Sequence, residues 1–237
     1  MSIQQQTKDA IIAFIREHEG KIEKLPSEQE FAKLLGVSRA TVREAIKVLV
    51  NENIVYSRHG VGTFIVKGTS QLSTSMNILE SWTTIISKHG FTPGTQDVII
   101  ELREADEKIA EKLGIHVGDN VVYLERLRTA DGKPVVFVID YAKYHEGMIQ
   151  RYKETLPESF LAFIEDYTNS YLDHVICRIQ PVSATGEIQK KLRQVHSHPL
   201  LFLEQVHCTQ HGDPFFYSES YVISEMLQFN IIRKKPT

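Results

Sequence analysis

The chain has 237 residues, of which 42% are hydrophobic and 24% charged, and its formal net charge at pH 7 is −3. This length allows one large or two modest domains, and no apolar run approaches the roughly 18 residues that a membrane span requires, so no membrane association is expected. Two cysteines, Cys177 and Cys208, are too few for a disulfide framework or a four-thiolate metal site. No apolar leader follows Met1, so the cytoplasm is the expected compartment.

The charge is unevenly distributed along the chain. Residues 1–67 hold ten Lys or Arg against eight Asp or Glu, a net charge of +2, whereas the remainder holds 17 against 22, a net charge of −5. Any contact with nucleic acid is therefore expected in the N-terminal part.

Three helices are predicted in the first fifty residues. Apolar residues at helical spacing predict the first helix over residues 4–18. Ser27 and Glu30 have the spacing of a capping box at the start of the second helix, which is expected to end at Gly36. A further helical stripe predicts the third helix over residues 38–51.

A hairpin and a linker follow these helices. Between residues 54 and 66 the apolar period changes to two, and Gly60 and Gly62 provide the turn of a small hairpin. Three helices and a hairpin complete a small domain over residues 1–67. Residues 68–75 are polar and lack periodicity, which is typical of a linker.

The second part of the chain contains an internal repeat. Residues 111–134 recur about 79 residues later at 190–214, and each copy reads as a short helix followed by a β-hairpin. Further helices are predicted at 82–88, before the first copy, and at 159–167, between the copies. The pattern predicts an α+β domain over residues 76–233, with one antiparallel sheet that has internal pseudo-symmetry.

The third predicted helix carries residue types that suit DNA recognition. In a helix-turn-helix the second helix of the motif enters the major groove, and its first turns contact base edges and phosphates. Small polar and arginine side chains cluster there, and a basic hairpin tip fits a wing in the neighbouring minor groove: Ser38, Arg39, Thr41 and Arg43 on the helix, and Arg58, His59 and Gly60 on the hairpin. The alternative is a solvated helix face with incidental arginines, which is disfavoured because capped helices, a three-residue turn and a glycine-rich hairpin occur together.

Three motifs resemble the N-terminal domain of the GntR family of bacterial regulators. They are Leu-Pro-Ser-Glu-Gln at residues 25–29, Leu-Gly-Val-Ser-Arg-Ala-Thr-Val-Arg-Glu-Ala at 35–45 and His-Gly-Val-Gly-Thr-Phe at 59–64. The resemblance implies a winged helix-turn-helix that binds double-stranded operator DNA, with contacts at Gln29, Ser38, Arg39, Ala40, Thr41, Arg43, His59 and Gly60. Gln29 departs from the arginine usual in the family, which leaves that contact uncharged and therefore weaker or sequence-dependent.

The second part resembles the UTRA ligand-binding domain of the HutC subfamily over roughly residues 75–233. The resemblance rests on the helix and hairpin repeat, with Arg-Leu-Arg-Thr-Ala-Asp-Gly-Lys-Pro at residues 126–134 in the first hairpin. It implies a domain that binds a small-molecule effector and dimerises. The expected fold class is α+β, with a winged helix-turn-helix joined to an α+β domain that has an antiparallel sheet.

An anion site is predicted in this second domain. Arg126 and Arg128 are two residues apart on a strand, so both guanidinium groups project from one face, and Ser81 and Ser159 each open a helix whose N–H groups favour an anion. The resemblance to sugar-phosphate-binding members implies that a phosphate is surrounded by Ser81, Trp82, Thr83, Arg126, Arg128 and Ser159. An alternative remains open, in which the arginines pair with Glu125, Glu204 or Asp140 on the sheet surface and the serines only cap their helices.

Two apolar residues bear on the body of the effector. Strand alternation places Val138 with Asp140 on one face and Phe216 with Ser218 on one face. The resemblance to amino-sugar-binding members implies glutamates at the positions of Val138 and Phe216, where they would form hydrogen bonds with the sugar hydroxyls. Both residues are apolar here. This departure predicts a more apolar or aromatic effector body, oriented by Asp140, Ser218 or Tyr217.

No metal, cofactor or catalytic residue is predicted. His196, His198, His207 and His211 lack a carboxylate or cysteine at ligand spacing, and Cys208 cannot readily pair with the adjacent His207 because neighbouring strand residues face opposite sides. Paired carboxylates and glycine-rich phosphate loops are also missing from the sequence, so enzymatic activity is not expected.

The predicted function is that of a DNA-binding transcriptional regulator. By the resemblance it is a repressor that binds a pseudo-palindromic operator as a homodimer and responds to an effector such as a phosphorylated sugar or another anionic metabolite. The alternatives are a regulator with a degenerate or non-phosphate pocket and, less favoured, an enzyme with an accessory DNA-binding domain.

Overall fold

A computed structural model describes residues 3–18, 21–51, 54–58, 60–65, 76, 78–197, 199–227, 229 and 231. His59, His198 and the predicted linker at 68–75 lie outside the described residues. The chain forms two compact units, the first built on the N-terminal residues up to Ile78 and the second on Leu79–Gln228. Among the described helices, none combines the length and the apolar character needed to cross a membrane.

The first unit consists of three helices and a hairpin, as predicted. Its elements are α1 (Ile3–Glu17), α2 (Glu28–Leu35), α3 (Arg39–Asn51), β1 (Val55–Arg58) and β2 (Gly62–Ile65). The two strands pair in an antiparallel register.

Local interactions define the ends of α2. The Ser27 hydroxyl accepts a hydrogen bond from the Glu30 backbone N–H at 3.3 Å, and the Glu30 carboxylate accepts one from the Ser27 N–H at 2.7 Å. This capping box satisfies N–H groups that have no partner within the helix. Gly36 ends the helix in the left-handed conformation at φ 65°, which glycine adopts without a steric cost.

The hairpin is fastened to the segment before α2. The Leu25 N–H donates to the Thr63 carbonyl at 2.8 Å, and the Ile65 N–H donates to the Glu23 carbonyl at 2.9 Å. Beneath the hairpin, all three helices share one apolar core, which includes Ile11, Phe31, Val42, Leu49 and Val55. The position of the hairpin is therefore fixed relative to α2 and α3.

The second unit contains a six-stranded antiparallel sheet with the strand order β3-β4-β5-β8-β7-β6. Its elements are α4 (Trp82–Lys88), β3 (Pro93–Glu104), α5 (Glu107–Leu113), β4 (Asn120–Ala130), β5 (Lys133–Lys143), α6 (Met148–Thr155), α7 (Phe160–Thr168), β6 (Leu172–Ser183), α8 (Gly186–Lys191), β7 (Pro199–Thr209) and β8 (Pro214–Val222).

The central strands β5 and β8 have a reciprocal register. Asp140 lies opposite Ser218, Val138 lies opposite Ser220, and Ile139 lies opposite Glu219 between them. Because the two copies of the repeat contribute one strand each, this register relates them by a local pseudo-two-fold axis. The predicted single sheet with pseudo-symmetry is confirmed.

Each copy is longer than the sequence predicted. A strand precedes the short helix in both copies, so that β3 and β6 form the two edges of the sheet, and α6 is a further helix that was not predicted. Edge strands are exposed: Ile100 is the one buried residue among the described residues of β3, and β6 has none. The sequence analysis missed both strands, although each carries apolar residues at alternate positions: Val98, Ile100 and Leu102 in β3, and Val175, Cys177 and Ile179 in β6.

Helices cover both faces of the sheet. On the first face, α6 and α7 pack Tyr152, Phe160 and Phe163 against Val122 and Leu124 of β4. On the second face, α5 packs against β4 and β8, and the residues around α8 pack against β4 and β5. Arg126 and Arg128 follow Leu124 at every second residue, so they lie on the first face, beneath the helices.

Candidate nucleic-acid interface and effector pocket

The start of α3 is accessible, as a recognition helix requires. Ser38, Arg39 and Ala40 are exposed, and Thr41 is half-buried. The Ser38 hydroxyl accepts a hydrogen bond from the Thr41 N–H at 3.1 Å and lies 2.8 Å from the Thr41 hydroxyl. Ser38 therefore caps the helix, while Arg39 projects from its first turn.

Arg43 is ion-paired with Glu28, the first residue of α2. Its Nε lies 3.0 Å from Oε1 of Glu28, and its Nη2 lies 2.8 Å from Oε2. The hydrogen bonds from Arg43 hold the pKa of the Glu28 carboxyl below its ordinary value. This two-point contact fixes α2 against α3, and a DNA phosphate would have to share the guanidinium or displace Glu28.

Arg58 lies along the aromatic surface of the hairpin. Its guanidinium is 5.5 Å from the ring of Tyr56 and 5.4 Å from the ring of Phe64, and these two rings stack with their centroids 5.5 Å apart. Gly60 has a φ of 71° in the turn, where a side chain would strain the backbone. The hairpin therefore presents a cation beside a tight turn, as the predicted wing requires.

A groove of about 1010 Å³ joins these features. Four of the predicted DNA-contact residues line it: Gln29, Arg39, Arg58 and Gly60. Lys24 lines it too, although the sequence analysis did not identify this residue because it lies in an aperiodic segment. The available signal was a lysine directly before the Leu-Pro motif.

Gly62 explains how Lys24 reaches this position. A Cβ atom at Gly62 would lie 2.6 Å from Cε of Lys24, and the glycine has a φ of +135°. The absence of a side chain therefore lets the lysine stem cross the wing, with Nζ 6.0 Å from the ring of Phe64.

Arg128 is the most constrained cation of the second unit. Its side chain is almost wholly buried, with 2% of its surface exposed. Nη1 donates to the Glu158 carbonyl at 2.9 Å and to the Thr95 hydroxyl, and Nη2 donates to the Thr83 hydroxyl at 2.7 Å. Nε has no hydrogen-bond partner among the described residues. Desolvation, followed by the charge of Arg126, lowers the pKa of Arg128 to about 10.

Arg126 has a different partner from Arg128. It forms a buried ion pair with Asp140 of the neighbouring strand, and its guanidinium lies 5.4 Å from the ring of Phe160. Burial raises the pKa of the Asp140 carboxyl, and the charge of Arg126 opposes this effect. The alternative pairing with Asp140 is thus the observed one, but the pair lies in the interior and not on the sheet surface.

The two serines both act as helix caps. The Ser81 hydroxyl accepts from the Thr84 N–H at 3.1 Å, and the Ser159 hydroxyl accepts from the Ala162 N–H at 3.3 Å. Between them, the Trp82 indole N–H donates to the Ser220 hydroxyl at 3.3 Å. Both serines and Trp82 therefore have partners within the protein.

Val138 and Phe216 are buried in the core. Phe216 stacks on His207 with the centroids 3.8 Å apart, and its ring packs edge-on against Phe160 at 5.6 Å. Nε2 of His207 lies 3.1 Å from the Ser218 hydroxyl, and burial lowers the pKa of the imidazole to about 3. This packing fills the space in which an effector body was expected.

A cavity of about 310 Å³ adjoins Arg128. Its lining comes from the start of α4, from β3 and β4, from α6 and from the connection between α6 and α7: Thr83, Pro93, Gly94, Thr95, Val98, Arg128, Tyr152, Leu156, Pro157 and Glu158. Of the predicted effector residues, the cavity brings together only Thr83 and Arg128. Sequence analysis missed the other lining residues because β3 and α6, which carry several of them, were not predicted.

No three His, Cys, Asp or Glu side chains of the described residues are grouped so that they could hold a metal ion. His196, His207 and His211 therefore do not form a metal site with such neighbours within the described part of the chain.

Comparison with known proteins identifies both units. Residues 3–65 match the family described as "Bacterial regulatory proteins, gntR family", and residues 88–228 match the UTRA domain. Similar proteins include the HTH-type transcriptional repressor NagR of Bacillus subtilis, 28% identical over 83% of this chain and 79% of its own length, and the histidine utilization repressor of Klebsiella aerogenes, 25% identical over 84% and 83%. Both are named as repressors.

A solved structure supports the fold. The possible transcriptional regulator YydK from Bacillus subtilis superposes with a TM-score of 0.79 at 21% identity, covering 99% of this chain and 100% of that one. The resemblance found in the sequence is confirmed: the chain belongs to the GntR family of bacterial transcriptional regulators, in the HutC-type group that carries a UTRA domain.

Proposed function

We propose that this regulator is a homodimeric repressor that binds a pseudo-palindromic operator in the bacterial cytoplasm and releases it when a small anionic effector binds beside Arg128. The names of its relatives support repression, since they include NagR and a histidine utilization repressor. We assign DNA binding to residues 1–67, the linker to 68–75, and effector binding and dimerisation to 76–233.

The accessible start of α3 and the groove beside it support the DNA contacts. The proposed contact residues are Gln29, Ser38, Arg39, Ala40, Thr41, Arg43, Arg58, His59 and Gly60. A single recognition helix and wing bury too little surface for tight, specific binding. Two copies related by a two-fold axis would double the contact and require an operator with matching symmetry.

The environment of Arg128 carries the proposal of an anionic effector. A guanidinium is suited to bidentate binding of phosphate or carboxylate, and a buried cation without an ion-pair partner is unfavourable. Among the described residues no carboxylate forms an ion pair with Arg128; hydroxyls and one carbonyl surround it, and Nε is unpaired. An anion in the adjoining cavity would supply the missing charge.

The same contacts suggest how binding would be transmitted. Arg128 connects Thr83 of α4 with Thr95 of β3 and with Glu158 before α7, and the Thr83 hydroxyl also donates to the Glu158 carbonyl at 2.8 Å. An anion that accepted the hydrogen bonds of Arg128 would release Thr83 from the arginine. The position of α4, the first helix after the linker, would then change. A ligand that favours one position of α4 would thereby shift the equilibrium between DNA-binding and released states.

Fluorescence anisotropy tests this proposal. DNA from around the protein's own gene is titrated across a salt series, with and without a pool of phosphorylated metabolites. We expect tight, salt-sensitive binding that a metabolite weakens, and Arg128→Gln should abolish the response while operator affinity is kept. Arg151→Gln, on the exposed surface of α6, is the matched control. If a thermal melt shows that Arg128→Gln is unfolded, Thr83→Val is used in its place. It removes one hydrogen-bond partner of Arg128 and should weaken the response to the effector.

Operator binding that no phosphorylated metabolite changes would contradict this mode of control. It would favour a second candidate, a regulator with a degenerate or non-phosphate pocket. The observation in favour of this candidate is that Arg126, one of the two arginines of the predicted anion site, already forms an ion pair with Asp140.

A further inference from the structure

The interior side of the Arg128 pocket is closed. Arg126 is paired with Asp140 beneath Phe160, and Phe216 is stacked on His207, so the centre of the sheet has no room for the body of a ligand. Val138 and Phe216 are buried and do not line the cavity. The body of an effector held at Arg128 must therefore lie on the outer side.

The outer side of the cavity is apolar. Leu156 and Val98 line it, with 68% and 40% of their surfaces exposed, together with Pro93 and Pro157. Glu158 is the one acidic residue in this described lining, and the carbonyl group of that residue already accepts from Arg128. Because the Thr83 and Thr95 hydroxyls and the Glu158 carbonyl already bind Arg128, this side offers contact area mainly to an apolar group.

The backbone supports a ligand-binding role for this rim. Leu156 has a φ of 43° at the end of α6, a left-handed conformation that favours glycine or asparagine. Asp97, beside Val98 in the bulge of β3, has a φ of 49° and is held by Arg193 at 2.8 Å. A large apolar side chain that is both strained and exposed contributes little to folding, and such strain is concentrated at ligand clamps.

We infer that the effector is a small molecule with one anionic group on a compact apolar or aromatic body, and that this body packs on Val98, Leu156 and Pro157. The inference rests on the proposed function, because Arg128 must hold the anion. A cavity of about 310 Å³ lies at the lower end of the range for small-molecule sites, which limits the body to about the size of a single ring.

Isothermal titration calorimetry of the full-length protein tests the inference with three probes: inorganic phosphate, phenyl phosphate and glucose 6-phosphate, at one ionic strength. We expect phenyl phosphate to bind about tenfold or more tightly than inorganic phosphate, and glucose 6-phosphate to show no such gain. Leu156→Asn, which suits the left-handed backbone, should remove most of the gain and leave the affinity for inorganic phosphate unchanged. The control is Val117→Asn, at a similarly exposed apolar residue outside the cavity, and it should have no effect on the affinity for any probe.

The outcomes separate this inference from the proposed function. If the three probes bind equally, or if glucose 6-phosphate binds most tightly, the apolar body is refuted while the anion site at Arg128 stands. A gain for phenyl phosphate that Leu156→Asn leaves intact also refutes the assigned surface. If no probe binds, both the inference and the proposed anion site fail.

Discussion

Arg126 and Asp140 form an ion pair inside the second unit, with Nη2 of the arginine 2.5 Å from Oδ2 of the aspartate and the side chains only 6% and 3% exposed. A buried pair of this kind contributes little net stability compared with an apolar pair, because both charges lose their hydration. Removing one partner is costly, since the remaining charge is then buried alone.

Asp140→Asn should therefore lower the free energy of unfolding of the second unit by about 3 to 5 kcal/mol. Urea denaturation followed by the fluorescence of Trp82, the single tryptophan of the chain, measures this unit. Glu101→Gln is the matched control, because Glu101 pairs with Arg103 at the surface and its loss should cost less than about 1 kcal/mol. Equal losses of unfolding free energy in the two variants would show that Arg126 does not depend on Asp140 as its partner in the folded protein.

His207 should make this unit sensitive to acid. Burial lowers its pKa from the ordinary 6.5 to about 3 in the folded protein, so the unfolded chain binds one more proton between these values. The free energy of unfolding should thus fall as the pH falls below 6.5, with a contribution of about 1.4 kcal/mol between pH 7.5 and 5.5.

The measurement compares His207→Gln with the unsubstituted protein by urea denaturation at these two pH values. The variant is expected to be less stable at both, because its stacking on Phe216 is lost, but the difference between the two proteins should shrink at pH 5.5. A difference that stays constant with pH would mean that His207 is readily protonated in the folded state.

The first unit was largely predictable because its signals are local. Ser27, Glu30 and Gly36 define the ends of α2 through contacts within a few residues, and a glycine turn defines the wing. Strand alternation also correctly placed Arg126 and Arg128 on one face of the sheet.

The partners of these arginines were not predictable in the same way. Thr95 comes from an edge strand that the sequence analysis did not predict, and the Glu158 carbonyl belongs to a connection after an unpredicted helix. The sequence allowed Arg126 either an anion or a carboxylate, and in the structure it is paired with Asp140, with the Phe160 ring 5.4 Å from its guanidinium. Such packing is a property of the assembled unit and not of any segment.

In the DNA-binding unit, Glu28→Gln should release Arg43. The variant is expected to bind unrelated DNA more tightly, with the slope of log affinity against log salt concentration steeper by about 1, because one more cation faces the phosphates. The preference for the operator should fall, since the pair also holds α2 against α3. Anisotropy titrations with operator and unrelated DNA measure both effects.

Glu44→Gln is the control for that experiment, because it removes the same charge from an exposed glutamate that pairs with Lys47. If both variants change the affinity for unrelated DNA equally, the effect is one of net charge, and Arg43 is not the released group.

Lys24→Gln tests the contact that the sequence analysis missed. Because Lys24 lines the groove together with Arg39 and Arg58, its ammonium group should neutralise one phosphate. Loss of that charge should weaken binding to operator and unrelated DNA by a similar factor and reduce the salt slope by about 1. Lys21→Gln, three residues away and outside the groove lining, should leave the slope unchanged. A weakening confined to the operator would instead assign Lys24 to base recognition, and equal effects of the two substitutions would show that only the overall charge of the unit matters.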